Sequence, residues 1–414
     1  MELLYTHCAG IDVHLNSLSV CILTPGSTAT AASHSEIRGF GTKTSDLLAL
    51  ADWLEQMHVT HVAMESTGVY WKPVWNILEA QFTVILANAQ HVKNVPGRKT
   101  DTADCQWIAQ LLRHGLLKAS FVPPLEIRQL RDLCRTRTSL TREKTAVVNR
   151  LQKTLEDANV KLAAVVTDIL GVSGRAMLKQ MITGNLDAEA LAQLARGPMR
   201  KKRAELQQAL TGKITPHHRF LLKQHMEHIE YLEKAIASLV VEIERQAGSL
   251  ETTVTRWKSI PGIEQLAAWS LVAEIGANMD QFPSARHLVS WAGLCPGNHQ
   301  SAGKRLSGKT RKANPWLKGL MTQVAWAASH TKNTYLSQQY RRLVVKRGKR
   351  RALLAVANTV LTIVWHLEKH QAFYRELGPD YFDRLKGEQT QRYHVTRLEK
   401  MGFKVTIEPA NQAA

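Results

Sequence analysis

The sequence predicts an α/β domain followed by regions that are all or mostly α-helical. Over the first hundred residues, short apolar and β-branched runs alternate with helical patterns, and beyond residue 125 long segments keep helical spacing. The chain has 414 residues, which is too long for one ordinary hydrophobic core. We therefore expect two or three domains.

The N-terminal elements are predicted in the order β-β-β-α-β-α-β-α. The predicted strands are CAGIDVH (8–14), SLSVCIL (17–23), a run near 29–40, HVAMEST (61–67) and FTVILAN (82–88). The predicted helices are 45–58 with Ser45 as N-cap, a segment around 70–80, and one that opens at Asp101. A meander of three strands followed by βα units predicts one mixed sheet with flanking helices.

Four carboxylates stand out in this region. Asp12 lies inside an apolar strand, where an unpaired charge is costly, and Glu65 ends a later strand. Asp101 and Asp104, in RKTDTADCQWIAQLL (98–112), are three residues apart and share one helical face. Such a pair can simply cap a helix, but if the two strands are central, all four carboxylates could surround one or two divalent cations.

The rest of the chain is predicted to be helical. FVPP (121–124) closes the first module, and long helices are predicted at 126–160 and 214–248. The apolar positions of the second are nearly heptad-spaced, which indicates an antiparallel coiled-coil arm or a dimer interface. The predicted division is 1–120, 121–250, 251–380 and a tail at 381–414.

Charge and cysteine content narrow the functional class. The formal net charge is +19, yet residues 1–120 hold 8 Lys and Arg against 10 Asp and Glu, so the later regions carry all the excess. This distribution predicts a polyanionic partner. The five scattered cysteines favour neither a disulfide framework nor a thiolate zinc site and suggest a reducing cytoplasm. We expect no signal peptide, and the apolar run 352–365 is too short to span a bilayer.

Two later segments could contact phosphate. WAGLCPGNHQSAGKRLSGKTRKANPW (291–316) combines Gly, Ser, Lys and Arg, so a serine there could attack a phosphodiester in positive surroundings. Composition does not choose among Ser301, Ser307 and Ser290, and a disordered linker is the alternative. RRLVVKRGKRR (341–351) is densely basic, and its seven like charges favour phosphate contact. The Pro-Gly turn in SIPGI (259–263) could receive a phosphate or be a plain turn.

Taken in order, GIDVH, AMEST, RKTDTAD, SIPGI and GLCPGNHQSAGK resemble the DEDD transposases of the insertion-sequence one-ten family, which are bridge-RNA-guided serine recombinases. The resemblance covers nearly the whole chain and implies a RuvC-like (RNase H fold) domain, a coiled coil and a C-terminal transposase domain. It implies that Asp12, Glu65, Asp101 and Asp104 bind Mg²⁺. It also implies that Ser301 is the nucleophile, although the family pattern has glycine directly after the serine. Ala302 stands there, and Ser307, which precedes Gly308, is the alternative.

The same resemblance implies the partners. We expect donor and target DNA, a noncoding bridge RNA, and a dimer that assembles into a tetramer in the bacterial cytoplasm, without a membrane. The basic residues expected to contact nucleic acid are Arg98, Lys99, Lys304, Arg305, Lys309, Arg311 and Lys312. Two alternatives stay open: a RuvC-type structure-selective endonuclease that uses metal-activated water, and a non-catalytic nucleic-acid-binding regulator.

Overall fold

The computed structural model describes residues 3–25, 34–66, 68–88, 92, 104–297, 299–301, 303–310, 313–385 and 387–407, without the side chains of 299–301, 304–307 and 388–390. These residues fall into two compact units, Met1–Pro123 and Pro124–Ala414. The four-part division predicted above is kept as a proposal.

The first unit is built on a five-stranded mixed sheet. Its strands are β1 (Cys8–Val13), β2 (Ser17–Thr24), β3 (His34–Gly41), β4 (His61–Glu65) and β5 (Thr83–Ala87). They lie in the order β3-β2-β1-β4-β5. β1 pairs antiparallel with β2 and parallel with β4, and β5 continues the parallel part. The predicted meander, the mixed sheet and the central position of β1 are confirmed.

Helices cover both faces of this sheet. The helices are α1 (Thr44–Gln56), α2 (Trp71–Leu78) and α3 (Asp104–Arg113). Since side chains alternate along a strand, Ile11 and Val13 pack with α1 and α2, whereas Cys8 on the opposite face packs with α3. The sheet therefore lies between two helical layers.

The start of α1 differs from the prediction. The helix begins at Thr44, so Ser45 is inside it and the N-cap position is Lys43. The backbone N–H of Lys43 donates to Asp46 Oδ2 at 3.2 Å. The Asp46 carboxylate thus satisfies a free amide at the helix start, which a serine at position 45 cannot reach.

The second unit begins with a long helix, α4 (Leu125–Asp157), and contains a second one, α9 (Pro216–Ala247). Between them lie α5 (Leu162–Val165), α6 (Val172–Thr183), α7 (Ala188–Gln193) and α8 (Arg203–Leu210). His218 near the start of α9 hydrogen-bonds Asp157 at the end of α4 at 2.9 Å, so the two helices pack antiparallel within one chain. Whether their packing is that of a coiled coil stays a prediction.

The C-terminal helices of this unit are α10 (Glu251–Lys258), α11 (Gln265–Ile275), α12 (Ala285–Trp291), α13 (Pro315–His330), α14 (Tyr335–Arg347), α15 (Lys349–Lys369), α16 (Tyr381–Leu385) and α17 (Gly387–Glu399). Two short strands, β6 (His299–Ser301) and β7 (Lys304–Ser307), lie between α12 and α13. No helix in the described part of the chain combines the length and apolar content needed to cross a membrane.

Two hydrophobic cores support the helices of the second unit. One of them, which we call the distal core because it lies at the end of α4 far from Pro124, joins the C-terminal half of α4 and the N-terminal half of α9 to α5–α8. Leu151 and Leu222 are fully buried in it. The proximal core joins the opposite ends of both long helices to α10–α15, with Leu130, Ile243 and Trp257. Each long helix therefore contributes to both cores.

Candidate functional site

Asp12 lies on the face of the sheet that α3 covers. Residues 8, 10 and 12 of β1 point to one side because strand side chains alternate, and Gly10 marks the closest approach of the helix. A Cβ atom at Gly10 would lie 2.3 Å from the Cys105 carbonyl oxygen and 2.4 Å from the Ala109 nitrogen. No side chain fits in that space, so α3 packs directly on the backbone of β1.

The direction of α3 brings its first residue toward Asp12. The thiol of Cys8 donates to the Ala109 carbonyl oxygen at 3.8 Å, and Gly10 lies between Ala109 and Cys105. Moving along β1 toward Asp12 therefore means moving back along α3 toward Asp104. Burial raises the pKa of the Cys105 thiol to about 11, with smaller contributions from Cys21 and from the charge of Asp12, in agreement with this proximity.

Glu65 shares that face of the sheet. The parallel register pairs Ile11 with Met64, so Glu65 follows next to Asp12 at the carboxyl ends of β1 and β4. Ala63, two residues earlier, packs in the α3 core, and alternation directs Glu65 to the same side. Asp12 and Glu65 thus lie side by side on the sheet face that α3 covers, at the end toward which the first turn of α3 runs. Asp101, Arg98 and Lys99 lie outside the described residues.

His14 belongs to this surface and was missed by the sequence reasoning. Its Nε2 lies 3.0 Å from Asp12 Oδ2, and 64% of its side chain is exposed. The backbone N–H of His14 donates to the Ser17 carbonyl at 3.0 Å and closes the turn after β1. The spacing of two residues in Asp-Val-His is the signal that could have found it.

The donor chemistry of this face fits a hard divalent cation. Such ions prefer carboxylate oxygens, and Asp12, Glu65 and Asp104 supply them. Within the described residues, no three His, Cys, Asp or Glu side chains are close enough together to hold a metal ion. Asp101, the fourth carboxylate of the predicted set, is not among them.

The segment predicted as a loop contains a β-hairpin. β6 and β7 pair antiparallel, with Ser301 opposite Lys304 and Ser307 opposite His299. Gly303, between the strands, has a φ of +74°, a conformation that favours glycine. The two-residue connection ending in glycine is a hairpin signal, which the basic composition of the segment masked.

The predicted residues of this segment are distributed as follows. The side chains of Ser301, Lys304, Arg305 and Ser307 are not described, Lys309 is exposed after β7, and Arg311 and Lys312 lie outside the described residues. Ser290, the third candidate, is exposed on α12. The strands therefore carry two of the three candidate serines.

The basic segment 341–351 spans a turn between two helices. α14 ends at Arg347, Gly348 has a φ of +76°, and α15 begins at Lys349. Arg342 approaches Asp383 at 3.6 Å and lies 4.8 Å from the centre of the Phe382 ring. The exposed cations of this turn are Arg341, Arg342, Lys346, Arg347, Lys349, Arg350 and Arg351.

The turn in SIPGI has a packing role. A Cβ atom at Gly262 would lie 2.6 Å from the Ala328 nitrogen, and Gly262 has a φ of +91°. Ile260 and Ile263 beside it are buried. Because the turn packs against the α13 backbone, the contacts favour the plain structural turn over a phosphate site.

Comparison with known proteins identifies the family. Residues 9–160 match the IS110 DEDD family model, described as a transposase, and residues 254–341 match the model of the transposase IS116/IS110/IS902 family. The two segments together span more than half of the chain. The chain belongs to the IS110 family of DEDD transposases. The first segment contains Asp12, Glu65, Asp101 and Asp104, and the second contains the β6–β7 hairpin.

Two relatives of this transposase agree with that assignment. The chain is 26% identical over 295 residues to the transposase for insertion sequence element IS1111A of Coxiella burnetii, covering 70% of this chain and 72% of the relative. It is 24% identical over 331 residues to a probable family 20 transposase of Pseudomonas aeruginosa, covering 78% and 88%. The protein is an insertion-sequence transposase.

Proposed function

We propose that this transposase catalyses RNA-guided, site-specific cleavage and exchange of DNA strands between the donor element and its target. The observation that carries the proposal is that Asp12 and Glu65 lie side by side at the ends of adjacent parallel strands, on the face that α3 covers. Such a face supports the RuvC-like metal centre that the family resemblance implies, and DEDD transposases are typically metal-dependent.

Asp12, Glu65, Asp101 and Asp104 would hold Mg²⁺. A bound Mg²⁺ supplies charge neutralisation at the scissile phosphate. His14, hydrogen-bonded to Asp12, orients that carboxylate. The role of the carboxylates would therefore be to hold the cation. The attacking group comes from another part of the chain.

We assign the attack to the hydroxyl of Ser301, with Ser307 as the alternative. The oxygen forms a bond to phosphorus as its proton departs, and the bond from phosphorus to the leaving deoxyribose oxygen breaks, with that oxygen taking up a proton. The product is a phosphoserine link to DNA. Support comes from the hairpin, whose strands carry both serines close in sequence to Lys304, Arg305 and Lys309.

Target choice is assigned to base pairing with a noncoding bridge RNA, while the protein contacts backbone and shape. The positive charge of the residues beyond 120 suits a chain that holds RNA and DNA together. We further propose a dimer that assembles into a tetramer, acting at the nucleoid in the bacterial cytoplasm.

The test is to incubate the full chain with RNA from the element's flank, Mg²⁺, and end-labelled donor and target DNA. The mixture is then denatured in detergent and examined for label that migrates with protein. A covalent adduct that is lost in Ser301→Ala and in Asp12→Ala is the expected result. Ser290→Ala is the matched control, since it removes an exposed serine outside the hairpin.

Other outcomes distinguish the alternatives. An adduct that survives Ser301→Ala but not Ser307→Ala moves the nucleophile. Cleaved DNA without any adduct supports an endonuclease that uses metal-activated water. Intact DNA, with binding retained, supports a non-catalytic regulator.

A further inference from the structure

Asn314 ends the segment that carries the hairpin, and both ends of its side-chain amide are engaged. Its Oδ1 accepts from the backbone N–H groups of Trp316 at 3.0 Å and Leu317 at 3.4 Å, which caps α13. Its Nδ2 donates to Glu274 Oε2 at 2.5 Å. Asn314 thus caps α13 and also hydrogen-bonds to a carboxylate elsewhere in the second unit.

Glu274 is the unusual partner in this contact. It is only 3% exposed and lies in the last turn of α11, where the helix dipole disfavours a negative charge. Arg135 of α4 donates to both of its carboxylate oxygens, at 2.7 and 2.8 Å. A buried carboxylate is stable only with such partners, so Glu274 joins three separate elements, α4, α11 and the start of α13.

Further arginine contacts surround the junction formed by Glu274, Arg135 and Asn314. Arg131, one turn before Arg135, donates to the backbone carbonyls of Ala273 and Glu274, both at 2.9 Å. Burial lowers the pKa of Arg131 to about 10, and the charge of Glu274 acts in the opposite direction. The guanidinium groups of Arg135 and Arg142 lie 5.7 and 4.9 Å from the ring centre of Trp316.

The hairpin is closed just before this junction. The N–H of Gly297 donates to the Lys309 carbonyl at 3.2 Å, and a Cβ atom at Gly297 would lie 2.4 Å from that oxygen. Lys318 of α13 donates to the Thr310 hydroxyl at 2.5 Å. The contact of Asn314 with Glu274 therefore follows the hairpin closure within a few residues. At the hairpin turn, a Cβ atom built on Gly303 would have no heavy atom of the described residues within 4 Å.

We infer that Glu274 and Asn314 are positioning residues, which fix the base of the β6–β7 hairpin on α4 and so set where its serine is presented to DNA. The inference rests on the proposed role of that serine. It predicts that breaking the contact between Glu274 and Asn314 changes hairpin geometry and strand cleavage together, beyond any loss of overall stability.

Exchanging the carboxylate at position 274 and the amide at position 314 tests the positioning role. Asn314→Asp keeps the helix cap, because Asp caps as well as Asn, but it sets two carboxylates against each other. In Glu274→Gln combined with Asn314→Asp, the new amide can donate to the new carboxylate, while Arg135 keeps its bond to the oxygen that remains at position 274 and loses the other. The matched control is Glu368→Gln, since Glu368 is also buried and accepts from Arg256 at 2.6 Å, between α10 and α15.

Two measurements are made on each full-length variant beside its thermal unfolding: the rate of tryptic cleavage after Lys304, Arg305 and Lys309, and the yield of the covalent DNA adduct. Asn314→Asp is expected to raise hairpin cleavage and lower the adduct by roughly tenfold each, since it breaks a charge-assisted hydrogen bond. The double variant should recover part of both, since Arg135 loses one of its two hydrogen bonds. Glu368→Gln should lower the unfolding temperature without changing hairpin cleavage.

The outcomes separate this inference from the proposed function. If the double variant fails to recover, or if Glu368→Gln changes hairpin cleavage as strongly as Asn314→Asp, the positioning role is wrong. If hairpin cleavage follows the expected pattern while even the unaltered protein forms no adduct, the positioning role stands and the serine is not the nucleophile. An adduct yield that Asn314→Asp leaves unchanged overturns the inference.

Discussion

The sheet face that carries Asp12 and Glu65 is held by backbone packing, whereas the β6–β7 hairpin is held by polar contacts at its base. Asp12, Glu65 and Asp104 sit on a central sheet and on a helix that contacts its backbone at Gly10. Among the described strands, β6 and β7 pair only with each other, and polar contacts lie at the base of the hairpin. The first arrangement fixes the geometry of the proposed cation site, and the second places the proposed nucleophile on a hairpin, so each region should respond differently to mutation.

The largest effect is expected from Asp12→Asn. The asparagine side chain has nearly the shape of aspartate but lacks the negative charge proposed to bind Mg²⁺. DNA strand cleavage should therefore fall about a thousandfold, while the unfolding temperature of the protein stays nearly constant. The measurement is adduct formation at saturating Mg²⁺. His14→Ala is the control, because it removes only the partner of Asp12, and a loss as large as that of Asp12→Asn would contradict a mere orienting role.

Gly10→Ala tests how much the close approach of α3 to the backbone of β1 contributes to stability. The added methyl group would overlap backbone atoms of α3, so the free energy of unfolding should decrease by about 3 kcal/mol. Urea unfolding measures this decrease. Gly39→Ala in β3, whose nearest contact would be 4.0 Å away, should change it by less than about 0.5 kcal/mol. Equal effects at the two glycines would disprove the importance of the close approach.

The basic turn between α14 and α15 should affect DNA affinity rather than chemistry. Replacing Arg350 and Arg351 together with Ala should weaken binding roughly tenfold at low salt and reduce the salt dependence by about two released counterions. Fluorescence anisotropy over a salt series measures both. Arg342→Ala should change the salt dependence less, since that residue is already close to Asp383, and identical slopes would argue against phosphate contact.

The smallest effect on DNA binding and cleavage is expected at the cysteines. Burial raises the pKa of Cys8 and of Cys134 to about 11, from 9.0. A raised pKa keeps each thiol protonated at pH 8, so alkylation should be about a hundredfold slower than for an ordinary thiol. Since the unfolded chain loses these protons first as the pH rises past 9, stability should decrease between pH 9 and 11. Mass spectrometry after iodoacetamide treatment should find the half-buried Cys295 modified first.

The order and bounds of the N-terminal elements could be predicted from the sequence. Apolar, β-branched runs mark β1 and β2 to within a residue, and the position of Glu65 at a strand end follows from a similar short run. These predictions succeed because strand periodicity is a local property. The start of α1 was predicted wrongly, because Ser45 is a good cap by type while the Asp46 carboxylate satisfies the actual helix start.

The junction at Glu274 could not be predicted in this way. Its partners, Arg135 and Asn314, are 139 and 40 residues away in the chain, and neither has a neighbour that signals the contact. A glutamate in an apolar helix is visible in the sequence, but its partners are determined by the packing of α4 against α11. The hairpin was missed for another reason, since its turn signal lies within a strongly basic segment.

The length of α4 has a mechanical consequence. Arg135 and Leu155 are twenty residues apart on one helix, a separation of roughly 30 Å. A tilt of that helix by 5° about its distal end would shift the hairpin base by about 3 Å, and a misplacement of about 1 Å at a reacting group can cost a hundredfold in rate. The distal core, which holds the far end of α4, therefore influences where the hairpin base lies.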